Sequence, residues 1–201
     1  GRRTGNENPD RWTTRVPPAA SRGDADNVAR LPDRSTQTGE TAEPAAAPVG
    51  SPLEASLTQI KVADPNFEPR GFIDGARAAF EMIVSSYAQG DTATLRPLLS
   101  DEVYDNFAAA IRSRQQAKHT LETTLVGIRS AEIIEARMDG RTAFVTVKFV
   151  SEQINVTRDA GGQVVEGDPQ AIANVTDLWM FSRNTRSRDP NWLLVATSAH
   201  Q

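Results

Sequence analysis

The chain has 201 residues, is 38% hydrophobic, and sets 22 Lys and Arg against 26 Asp and Glu for a net charge of −4. That length fits one domain with a tail. With no cysteine, disulfides, thiolate metal sites and cysteine nucleophiles are excluded. No apolar run reaches the roughly 18 residues of a membrane-spanning helix. The acidic balance argues against nucleic acid as the partner.

The composition divides the chain. Residues 1–63 hold one aromatic, Trp12, and residues 64–201 hold the other eleven. Seven of the twelve prolines precede residue 53. A segment this poor in large apolar residues cannot offset an ordering entropy of about 1–2 kcal/mol per residue. Residues 1–52 are therefore read as a flexible Pro/Ala-rich linker. Residues 53–63 form a short amphipathic segment, because Leu53, Leu57 and Ile60 recur at spacings of four and three. Residues 64–201 are read as the domain. The chain begins at Gly1 and not at Met, so an anchor preceding Gly1 would lie outside this sequence.

Within the domain, Phe72, Ala76, Phe80, Ile83, Val84 and Tyr87 follow helical spacing, and Gly90 is placed to cap the C-terminus. Asp91 to Leu99 predicts a short second helix. Ser100 is placed to cap a third, whose apolar face is Val103, Tyr104, Phe107 and Ile111. After His119 the period becomes two. Leu121 to Arg137 reads as a long strand with a bulge at Gly127, and Asp139-Gly140 as a tight hairpin. Thr142 to Arg158, Gln163 to Glu166, Ala171 to Arg183 and Trp192 to Ser198 complete the strands, with Gly161-Gly162 as a turn. Helices followed by antiparallel strands define an α+β fold. Three helices on a bent sheet of four to five strands make a cone of the nuclear transport factor 2-like kind.

The order of several stretches carries a family resemblance. They are Asp64 to Phe72, the helix from Gly75 to Asp91, Leu98-Leu-Ser-Asp-Glu-Val-Tyr104, Val175 to Arg183, and Asp189-Pro-Asn-Trp192-Leu-Leu-Val195. Together with Gly1-Arg-Arg-Thr-Gly-Asn-Glu7, they resemble bacterial members of the mitochondrial import inner membrane translocase subunit 44-like family. The resemblance implies a non-catalytic, membrane-associated scaffold in protein translocation or membrane-protein biogenesis. It implies a bacterial inner-membrane location, with the domain facing the cytoplasm, and association with anionic lipid such as cardiolipin. A protein partner is expected, and a homodimer formed through the sheet is compatible with the fold.

No residue pattern points to catalysis, a metal or a cofactor. His119 and His200 are isolated, and no phosphate loop or nucleophile elbow is present. Asp101 and Asp105 share a helix face, but acidic groups near a helix start complement its dipole. The alternative is an isomerase or dehydratase using Asp177 with Tyr87 or Tyr104, provided Asp177 turns inward. Phe80, Tyr87, Tyr104, Phe107, Phe149, Trp179 and Phe181 are the candidate walls of an apolar pocket for lipid or a protein segment. Arg2, Arg3, Arg183, Arg186 and Arg188 are the candidate contacts to membrane headgroups.

Overall fold

The computed structural model describes residues 50–199. Four helices precede five strands: α1 (Pro52–Ala63), α2 (Pro69–Gln89), α3 (Thr92–Leu95), α4 (Asp101–Gln116), β1 (Thr120–Asp139), β2 (Thr142–Arg158), β3 (Val164–Gly167), β4 (Ala173–Asn184) and β5 (Leu193–Ala199). The architecture is α+β, with helices on one face of an antiparallel sheet ordered β1-β2-β4-β5. β3 pairs with the far end of β2, beyond the stretch of β2 that β4 covers.

Local chemistry sets the helix limits. The Ser51 hydroxyl accepts the Glu54 N–H, and Pro52 begins α1 where a missing N–H costs nothing. Glu68 accepts the Gly71 N–H at the start of α2, and Gly90 ends it at φ +71°. Ser100 caps α4 as its position suggested. The segment expected as one short second helix is divided: α3 lasts one turn and gives way to a 3₁₀ turn over Arg96–Leu98. Pro97 lacks the donor that would continue an α-helix.

The strands follow their alternation. On β2, Ala143, Val145, Val147 and Phe149 are fully buried beneath the helices. Facing them from β4 are Phe181, Trp179 and Asp177 in register. The bulge expected at Gly127 is present, and two further register shifts follow at Ile128/Ser130 and Ile133/Glu135. Repeated bulges bend and twist a long strand, so β1 can follow α1 and α2, both of which pack on it.

The core is aromatic at its centre. Phe80 of α2 stacks on Phe149 with centroids 4.5 Å apart and lies 4.6 Å from Trp179. Each such side chain contributes roughly 1.5–3 kcal/mol on burial. α1 belongs to the same core, since Ile60 is fully buried.

Candidate functional site

α2 is helical along its whole length, yet one stripe of it is left uncovered. Gly71, Gly75, Ala78 and Met82, at spacings of four, three and four, all stand exposed. This spacing places them on one stripe of the helix. Opposite stand the β4–β5 turn, with Pro190, Asn191 and Trp192, and the 3₁₀ turn, with Pro97 and Leu98. Between them lies a groove of about 580 Å³. Phe67, Phe72, Phe181 and Trp192 line it in mutual contact. Phe72 lies 4.8 Å from Trp192 and 5.9 Å from Phe181, both edge-on, and Phe67 lies 5.9 Å from Phe72 and from Trp192.

One end of the groove is fixed by charge. Arg183 Nη1 donates to Asp64 Oδ2 at 2.7 Å, its Nε to the Asp189 carbonyl and its Nη2 to the Ser187 carbonyl. All three directions of the guanidinium are engaged. The pair is largely buried, with side-chain exposures of 11% and 15%. It joins the C-terminus of α1 to the β4–β5 turn. Glu68 and Asn66 complete this polar end.

The structure separates the residues grouped from sequence. Of the seven candidate wall residues, Phe181 lines the groove. Phe80, Phe107, Phe149 and Trp179 are closed in the core, at most 1% exposed. The reason is that α2 and α4 press directly onto the sheet there, and no space is left to wall. Tyr87 is buried against Phe107 at 5.3 Å, with Arg114 over its ring. Burial pushes its hydroxyl pKa up, with Arg114 opposing the shift. Tyr104 lies half-buried beneath the Arg96 guanidinium. Of the headgroup candidates, Arg183 is committed to Asp64 and the turn. Arg186 and Arg188 are exposed at that turn, and Arg2 and Arg3 lie outside the described residues. Arg114 turns back to donate to the Tyr87 and Ala88 carbonyls near the end of α2.

Asp177 faces inward, in the same alternation as Trp179 and Phe181, and is 6% exposed. It has no hydrogen-bond partner among the described residues, and burial raises its pKa to about 7. Neither Tyr87 nor Tyr104 bonds to it among those residues, so the acid and phenol pair required by the enzymatic alternative is not assembled. Beside it on β2, Gln153 donates to Ser151 and accepts from Asn155. This polar ladder takes over the inner face where the aromatic core ends. No group of three or more His, Cys, Asp or Glu able to hold a metal occurs among the described residues. None of their helices is long and apolar enough to cross a membrane.

Sequence reasoning missed Phe67, Phe72 and Trp192 as groove walls. The available signal was the Gly71, Gly75 and Ala78 spacing on a helix whose opposite side is aromatic.

The model of the Tim44-like domain family matches residues 53–199. Among curated relatives, the probable mitochondrial import inner membrane translocase subunit tin-44 of Caenorhabditis elegans is 23% identical over 67% of this chain and 32% of that protein. The mitochondrial import inner membrane translocase subunit TIM44-1 of Arabidopsis thaliana is 25% identical over 64% of this chain and 27% of that protein. The human subunit TIM44 is 21% identical over 71% of this chain and 32% of its own length. The chain thus spans about a third of the curated relatives it matches. The intermembrane space region of chloroplast protein ARC6 aligns with 63% of this chain and 95% of its own at a TM-score of 0.45 and 12% identity.

Proposed function

This chain belongs to the family of Tim44-like domains, and from that premise we propose that it is a non-catalytic module of a protein-translocation apparatus at a membrane, holding a protein segment in the α2 groove. The groove itself carries this reading. Aromatic edges, exposed glycines and Met82 form an apolar slot of about 580 Å³. A slot with small residues along a helix admits close approach by another segment, and a pliable methionine adapts to its shape. The names of the curated relatives, all subunits of an inner membrane translocase, support the setting. Arg186 and Arg188, exposed at the rim, would meet anionic headgroups together with Arg2 and Arg3. Each juxtamembrane cation contributes about 1 kcal/mol on anionic lipid.

Two measurements test this. A synthetic amphipathic helix with leucines at i, i+3, i+4 and i+7 is titrated into the full chain while the Trp192 indole signal is followed by NMR. Saturable movement at Trp192, abolished by Gly75→Leu, is the expected result, and no movement overturns the segment-binding part. Flotation with vesicles of neutral lipid, with and without cardiolipin, tests the membrane part. Salt-sensitive binding only with cardiolipin is expected. Absence of flotation in both overturns direct lipid contact.

A further inference from the structure

We infer that two copies of this chain pair through α2, antiparallel about a two-fold axis, with Met82 of each copy seated over Gly71 of the other. The inference rests on reading this face of α2 as one that takes a helical segment, and it names the α2 of a second copy as that segment.

The seam lies in the helix itself. Gly71, Gly75, Ala78, Met82 and Ser85 follow spacings of four, three, four and three, and all five are exposed. That is the repeat along which two helices pack side by side. Volume is uneven along it. Gly71 carries no side chain at one end, and Met82 carries a long flexible one, 47% exposed, toward the other. A parallel pair sets Met82 against Met82 and leaves a void between two glycines. An antiparallel pair centred between Gly75 and Ala78 sets Met82 level with Gly71, and Gly75 level with Ala78, so each large side chain meets a gap. Phe67 and Phe72 line the groove beside Gly71, and a methionine thioether packs favourably on aromatic rings. A two-fold contact uses the same patch twice and must be self-complementary in this sense.

Charge selects the same direction. Beside the seam stand Arg70, Asp74, Arg77 and Glu81, all exposed except the half-buried Arg77. None of the four takes part in an ion pair among the described residues, although spacings of three and four allow pairing along one helix. In a parallel pair each charge faces its own copy. In the antiparallel pair Arg70 falls within two residues, about 3 Å along the axis, of level with Glu81 of the other copy, and Arg77 does the same with Asp74. The remaining charges border the groove. Glu68, Asp189, Arg186 and Arg188 stand exposed around the β4–β5 turn, and the exposed Arg96–Asp101 pair stands at the 3₁₀ turn. Both sets carry both signs and favour neither direction, so the flank of α2 decides.

The seam is short and holds one large apolar side chain. A weak dimer, with a Kd on the order of 100 μM, is therefore expected in sedimentation of the full chain, and a monomer at about 1 mM overturns the inference. A Cβ at Gly75 meets nothing within 4 Å in its own chain. Gly75→Leu therefore keeps the fold and is expected to weaken the dimer by about tenfold, because it overfills the seam. Arg70→Glu with Arg77→Glu, and Asp74→Lys with Glu81→Lys, are each expected to stop self-association, while an equimolar mixture of the two variants pairs again.

Direction is read by disulfide cross-linking, which the absence of cysteine makes clean. A mixture of Gly71→Cys and Met82→Cys chains is expected to form the mixed disulfide, and neither chain alone is expected to cross-link. Cross-linking of either chain alone overturns the inference. So does a dimer that survives Gly75→Leu and both charge reversals, or one that pairs through the sheet and gives no cross-link. The synthetic helix separates this inference from the segment-binding reading. If the chain is monomeric and binds the helix, the dimer falls and the reading stands. If the mixed disulfide forms but the monomeric Arg70→Glu, Arg77→Glu chain does not bind the helix, the dimer stands and the reading for other segments falls.

Discussion

α2 delivers aromatic rings to two places with different outcomes. At its middle, Phe80 meets Phe149 and Trp179 and all three are sealed. At its N-terminal end, Phe72 meets Phe67, Phe181 and Trp192 in a comparable cluster that stays open on one side. The ring chemistry is the same in both. What differs is the company of the rings: helix and sheet close over Phe80 from both sides, whereas Gly71 and Gly75 leave the flank of Phe72 bare. The presence of aromatics therefore does not mark an open groove in this fold. The absence of side chains beside them does.

The sharpest way to break this contrast is to truncate both clusters. Trp179→Ala leaves a cavity in a packed interior and is expected to cost about 3–5 kcal/mol by urea denaturation. Trp192→Ala, at a site already open to solvent, is expected to cost about 1 kcal/mol. Equal losses would erase the distinction between sealed and open clusters.

Asp177 offers the next largest effect and adds the polar end of the inner face to the contrast. Its pKa rises to about 7 in the fold, against about 3.9 in an unfolded chain. Between those values the unfolded chain has released its proton while the folded one keeps it. The stability that Asp177 contributes is therefore greatest below about pH 4, falls as pH rises through the window, and levels above about pH 7. At about 1.4 kcal/mol per pKa unit, the fall is on the order of 4 kcal/mol. Asp177→Asn is expected to flatten the slope and to be the more stable protein at pH 8. An unchanged slope in chemical denaturation would place the titration elsewhere.

The Arg183 brace should weigh less. Arg183→Met strands the Asp64 carboxylate and is expected to cost about 2 kcal/mol, below the full penalty for a wholly buried pair because both groups keep some exposure. Hydrogen exchange should quicken in the β4–β5 turn and at the end of α1, and protection retained at both would show that the pair is not the brace. The smallest effect has the opposite sign. Gly75→Ala on the bare flank of α2 is expected to stabilise by about 0.5–1 kcal/mol, since alanine favours the helix and its methyl group meets nothing. A loss in thermal melting would mean that the groove is tighter than described.

Much of the fold was legible because it depends on neighbours in sequence. Thr142 to Arg158 shows its period of two directly, and it is the strand observed. Gly90 and Ser100 act as the caps their chemistry implies. The site was less legible, for two reasons. Periodicity identifies Phe80, Phe149 and Trp179 as inward-facing but does not say whether the interior is filled. That depends on how closely α2 rests on the sheet, which is settled by packing across the chain. Arg183 reads from sequence as one of three surface cations at a turn. Its acceptor, Asp64, lies 119 residues away, and no local pattern announces that pairing. The inward turn of Asp177, by contrast, was one of the two orientations the alternation allowed.

The Asp64–Arg183 brace also dictates the order in which the domain can close during synthesis. α1 leaves the ribosome first, but the residue that holds its end is made 119 positions later. At about 5–20 residues per second, α1 waits some ten seconds for its clamp, and the groove beside it does not exist in any shorter nascent chain. The domain is thus fastened by its two extremes, and the groove forms only once the β4–β5 turn has emerged.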